Sequence, residues 1–183
     1  MFAQIATLLI DFVVSFLVLL LLARFHFQWL RVPFRNPVGE VLLGLTSWIV
    51  LPARRVIPGL AGLDLATLVV AWAMQAFALW AQAWIMGAEP SVLALVAVAG
   101  VDLLRFSVYI LVFAVFMQVA FSWINPDAPA GPVFDLLTRP FLKPLRRYIP
   151  PVGRVDISPL VLLLILYVLL IPLNSLRLAA AML

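Results

Sequence analysis

The chain has 183 residues, of which 66% are hydrophobic and only 11% charged, and its mean hydropathy is +1.19. Soluble domains carry about a quarter charged residues, so a water-soluble globule is excluded and a small integral membrane protein remains. The absence of cysteine excludes disulfides, thiol catalysis and thiolate metal sites, and the net charge of +4 gains meaning only once the charges are placed.

Four apolar segments are long enough to cross a bilayer, which takes about 20 residues. The first covers roughly 3–30. Its start, MFAQIATLLIDF, has no basic lead-in and continues past Asp11, which reads as a retained span and not a cleaved signal. The second, 65–86, carries Ala71, Gln75, Ala78 and Gln82 on one stripe. A short reversal, GAEPS at 87–91, leads into the third, 92–123, which holds Asp102 and Arg105. The fourth, 159–183, holds Tyr167, Asn174 and Pro172, a residue that kinks or interrupts a helix. The first and third spans exceed the minimum and must tilt or extend beyond the hydrocarbon.

The two long connections hold ten of the twelve basic residues: Arg24, Arg31, Arg35, Arg54 and Arg55, then Arg139, Lys143, Arg146, Arg147 and Arg154. The positive-inside rule puts both on the cytoplasmic side and both termini, with the 87–91 turn, outside. An inner (plasma) membrane of bacterial type is the expected location.

A shift of 92 residues aligns the two connections without gaps. Pro37, Gly39, Val41, Leu45, Thr46, Pro52, Arg54, Arg55, Ile57, Pro58 and Asp64 fall on Pro129, Gly131, Val133, Leu137, Thr138, Pro144, Arg146, Arg147, Ile149, Pro150 and Asp156. The expected fold is therefore an all-α membrane protein of four transmembrane helices, built as two parallel repeats of helix, basic amphipathic loop and helix, at 1–92 and 93–183. Parallel repeats imply a pseudo-twofold axis along the membrane normal.

In the second loop, Val133, Phe134, Leu136, Leu137, Phe141, Leu142 and Leu145 interleave with basic residues, and prolines divide the stretch into pieces too short for a free helix. Such a segment suits the interface, apolar groups dipped and cations toward anionic headgroups. Ile149-Pro150-Pro151 reads as a stiff extended rod. Ser158 is the expected N-cap of the last span, with Pro159 first in the helix and Asp156 at its positive end, within reach of Arg146 or Arg147.

The stretch PLRRYIPPVGRVDISP at 144–159 resembles the signature of the YggT family (YlmG in some lineages), and length, spans and the doubled loop fit the same family. Pro144, Arg146, Arg147, Ile149, Pro150, Pro151, Gly153, Asp156, Ser158 and Pro159 match its pattern; Arg154 replaces a second glycine. The first copy is more worn, with Gly59 for the second proline, Ala61 for the first glycine and Ala66-Thr67 at the Ser-Pro position. The resemblance implies an inner-membrane protein tied to osmotic-stress tolerance and, in some lineages, to cell-division gene neighbourhoods. Its plastid relatives are associated with nucleoid distribution and with haem attachment to a thylakoid cytochrome. It brings no catalytic residues and no cofactor.

Ionisable groups inside spans are candidates for function by default. Asp102 and Arg105, three apart, share a helix face and can neutralise each other. Asp11 falls at nearly the same depth by the repeat register, so a buried cluster of all three competes with an Asp102–Arg105 pair that leaves Asp11 near the interface. Gln75, Gln82, Tyr167 and Asn174 recur at equivalent depths and mark either the packing seam between the copies or a narrow polar path. His26, the one histidine, has Gln118 as counterpart, which argues against paired haem ligation.

Motifs of hydrolysis, phosphoryl transfer and metal binding are missing, so an enzyme is not expected. Two readings stand. One is a membrane scaffold or assembly factor working through Arg54, Arg55, Pro58, Asp64 and their second-copy counterparts. The other is a small transport or channel-like protein with Asp11, Asp102 and Arg105 along its path. Expected partners are anionic lipid headgroups, a membrane or cytoplasmic protein, and further copies of the chain, with no nucleic acid.

Overall fold

The computed structural model describes residues 1–59, 62–125, 127–149 and 156–183. Among these residues six helices follow one another: α1 Phe2–Trp29, α2 Pro37–Val56, α3 Leu65–Ile85, α4 Val92–Ile124, α5 Gly131–Tyr148 and α6 Ser158–Ala180. No strand occurs among the described residues. Of the six, α1, α3, α4 and α6 are long and apolar enough to cross a membrane, and their outward residues are apolar, as with Phe12, Phe116 and Leu164. A multi-pass membrane protein follows from that pattern. Both overlong spans run unbroken, α4 for 33 residues or about 50 Å at the helical rise. The last span also continues as helix through Pro172.

The two connections are helices, and this corrects the expectation of fragments. In α5, Pro140 and Pro144 stand one turn apart on the exposed side. The N–H groups they lack and the carbonyls they crowd therefore face outward, where no neighbour depends on them. The opposite side buries Val133, Phe134, Leu137, Thr138 and Leu142, and that packing holds the helix together. The apolar face of α5 thus packs on protein. Phe27, Val32, Leu42 and Ala114 share one core with Val133, Phe134 and Leu137, and Leu142 joins Val108, Val115, Leu162, Leu166 and Leu170 in another.

Local chemistry sets the corners. The chain leaves α1 through Arg31 at φ 55°, and the N–H groups of Arg31 and Val32 return to the carbonyls of Gln28 and Phe27, which satisfies two orphaned acceptors of the helix end. Asn36 caps α2 by accepting from the Gly39 N–H at 2.8 Å. A Cβ at Gly39 would run into the backbone of Phe34, which explains the glycine.

Each half has one pattern: α2 spans the ends of α1 and α3, and α5 those of α4 and α6. The halves meet through α3 on α4 and α1 on α4. A twofold axis would make a contact between α1 and α6 the twin of that between α3 and α4, and α1 and α6 have no substantial contact. The expected pseudo-twofold arrangement is corrected accordingly: α3 lies inside the bundle and α6 on its rim.

Candidate functional site: two arginine–aspartate corners and an intramembrane ion cluster

At the end of α2, Arg54 reaches across to the cap of α3. Its guanidinium donates to the Asp64 carboxylate at 2.5 Å and to Gln28 Oε1 of α1 at 3.1 Å, so one side chain ties three helices. Asp64 is buried and caps α3, accepting from the Thr67 N–H and hydroxyl. Burial works against its charge, but the hydrogen bonds from Arg54 and Thr67, with the charge of Arg54, hold its carboxyl below the usual carboxylate range.

The second corner repeats the bond ten residues apart in a more open setting. Arg146 Nε donates to Asp156 at 2.8 Å. The cap is made differently from expectation. Asp156 accepts from the Ser158 N–H at 2.9 Å, while Ser158 lies buried as the first residue of α6. A carboxylate two residues upstream reaches the helix's positive end with a full charge, which the serine hydroxyl cannot supply. Asp156 too is held below the ordinary range, burial being outweighed by Ser158 and Arg146. Pro159 is buried beside it, Pro58 is exposed beyond α2, and Pro144 lies on the outer face of α5. Arg55 and Arg147 are exposed and form no ion pair among the described residues. Pro150, Pro151 and Gly153 lie outside the described residues.

Beside this second corner a cleft of about 860 Å³ opens between the end of α4, α5 and the start of α6. Its walls mix apolar surface (Phe121, Trp123, Leu136) with Gln118, Ser122, Asp135, Arg139, Arg146 and Asp156. Gln118 donates to Asp135 at 2.7 Å and accepts from the buried Thr138 hydroxyl at 2.8 Å. In the first half Thr46, the counterpart of Thr138, instead accepts from Arg24, which is buried on α1 and donates to Thr46 and Ser47 of α2 at 2.8 and 3.2 Å.

Within the spans, Asp102 is the hub. It accepts from Arg105 at 2.8 Å, from Arg177 of α6 at 2.7 Å and from Gln75 of α3 at 3.1 Å. Two cations share one buried carboxylate, and the bonds join both halves. The Asp102–Arg105 pair matches expectation; the three-membered cluster with Asp11 is corrected. Asp11 is exposed and, among the described residues, has only a 3.5 Å contact from Gln82, because equal depth on α1 does not give it the facing direction of Asp102. Gln75 stands in the seam, but Tyr167 and Asn174 are exposed, which follows from the rim position of α6. His26 is buried with Nδ1 against the Leu22 carbonyl at 2.7 Å. Sequence reasoning missed Arg24 and Arg177. The signals were a cation beside an apolar run and a second arginine inside the spans with no nearby acid. Thr46 and Thr138 did appear among the duplicated positions, without a role.

Comparison with known proteins gives the kinship. The family model described as CCB3/YggT matches residues 3–85 and again 97–177. The uncharacterised protein YggT of Escherichia coli K12 is 32% identical over 164 residues, covering 88% of this chain and 85% of the relative. An uncharacterised protein of Haemophilus influenzae is 27% identical over 160 residues, covering 87% and 86%. One from Vibrio alginolyticus is 27% identical over 159, covering 79% and 80%. No solved structure matches. With the model matched across nearly its whole length, the chain belongs to the YggT family.

Proposed function

We propose that this chain is a membrane scaffold or assembly factor, made of two copies of one helix–basic helix–helix unit, whose second basic corner receives a protein partner. The observation that carries this is the cleft at α5. It is roomy, open at one side, and lined by both signs of charge around a fixed Arg146–Asp156 bond. A pocket with an apolar wall and a few convergent charged groups suits a protein segment better than bulk lipid. The two-copy reading is supported by the recurrence of the Arg–Asp bond at both corners, by the buried Thr46 and Thr138 at matching positions, and by the two family matches. The exposed cations of α2 and α5 face the inner leaflet, where each basic residue is worth on the order of 1 kcal/mol beside anionic lipid. The physiological setting is osmotic-stress tolerance, as the family resemblance suggests. The competing solute path needs Asp11, Asp102 and Arg105 along one route, and Asp11 stands apart from the other two.

The test is photo-crosslinking from Ser122 and Arg139 in native membranes. A protein other than the chain itself should be captured, and capture should fall with Arg146→Ala and Asp156→Ala but not Glu89→Ala. The same two substitutions should fail to restore growth of a deletion strain in high salt. Capture of only further copies of the chain would overturn the partner reading.

A further inference from the structure

The seam between the halves has a used side and an unused side. On the used side, Trp72 of α3 donates to the Val96 carbonyl of α4 at 3.1 Å and packs over Gly100, where an added Cβ would lie 3.8 Å from its indole nitrogen. Gln75 bonds Asp102 one turn along. Moved by the 92-residue register, Trp72 and Gln75 become Leu164 and Tyr167 of α6, and Val96, Gly100 and Asp102 become Gln4, Leu8 and Ile10 of α1. The chain leaves most of these counterparts uncovered: Leu164 is 64% exposed, Tyr167 61% and Leu8 69%, Gln4 is exposed as well, and Ile10 is half-buried. Each chain thus carries one half of the seam on α6 and the other half on α1, at opposite edges of the bundle.

We propose that chains associate head to tail in the membrane, the outer face of α6 in one chain docking on the outer face of α1 in the next, as α3 docks on α4 within a chain. The proposal rests on the two-copy reading above. The occupant is a second copy and not lipid alone, because the uncovered faces are not purely apolar. Tyr167 sits in the middle of its span, and its hydroxyl has no hydrogen bond among the described residues. An unsatisfied hydroxyl in hydrocarbon is costly. The seam register sets Tyr167 opposite Ile10 and beside Asp11 of the neighbouring chain, a carboxylate that has little else to accept from. A contact of this kind is heterologous, so it closes into a ring if the rotation per chain allows and otherwise extends as a row.

The chain has no cysteine, which permits a clean test. Two differently tagged chains, one Leu8→Cys and one Leu164→Cys, are produced together and oxidised in native membranes. A disulfide should join the two tags, and a chain with both substitutions should give a ladder or a single closed species. Ile165→Cys and Leu169→Cys, exposed but off the seam face, should join Leu8→Cys several-fold less. Leu164→Cys joining its own kind as well as it joins Leu8→Cys would overturn the proposal, as would equal yield from the off-face positions or no joining at all. These bonds should persist in Arg146→Ala, where partner capture at the cleft is lost, so the two readings fail separately.

Discussion

Asp102 has the most demanding place of any side chain in the molecule. It is 2% exposed and accepts from two arginines and a glutamine drawn from three helices. Removing one member of a buried charged group strands the others in a low-dielectric setting, which costs about 3–5 kcal/mol. Asp102→Asn should therefore lower the unfolding temperature of the purified chain in detergent strongly. Asp11→Asn, at an exposed site, should change stability by no more than about 0.5 kcal/mol. Equal effects in a thermal scan would show that the hub does not hold the spans together. The pairing of Asp102 with Arg105 was legible because spacing of three on a helix fixes a shared face. The bond to Arg177, 75 residues on, was not. Nothing in a linear pattern says which edge of one helix another helix will cover.

At the level of helices, the two connecting segments show how packing overrides local propensity. Prolines in 129–151 argue for broken structure, yet α5 is continuous because its apolar stripe meets α4 and α6 on one side. Fully buried threonines seat both connecting helices, in different company. Thr46 accepts from the buried Arg24, whereas Thr138 meets the half-buried Gln118. Leaving a buried charged donor with only its longer 3.2 Å bond to Ser47 costs more than taking a partner from a neutral amide with access to the surroundings. Thr46→Val should thus destabilise by about 1–3 kcal/mol, and Thr138→Val by clearly less. Chemical denaturation of the two variants side by side checks the order. A larger loss at Thr138 would mean that the guanidinium finds another partner.

Across the whole molecule, the four apolar spans and the ten-residue spacing of the two Arg–Asp bonds were readable, since hydropathy and residue spacing encode them. The relation between the halves was not, because self-similarity gives two like units without saying how they dock. The structure shows one seam used and its twin open, and the placement of charge then bears on orientation. Both basic helices follow a span that runs one way and precede a span that returns, so α2 and α5 share an end of the bundle, and the 87–91 turn lies at the other. With the cations of α2 and α5 gathered at the first end, the positive-inside rule predicts that end to lie in the cytoplasm. Arg55→Cys and Arg147→Cys, both exposed, should react with a membrane-impermeant maleimide only after the cell membrane is opened, and Glu89→Cys should react in intact cells. Labelling of Arg55→Cys from one side and Arg147→Cys from the other would be incompatible with two parallel copies. With it would fall the register that pairs α6 with α1 of the next chain.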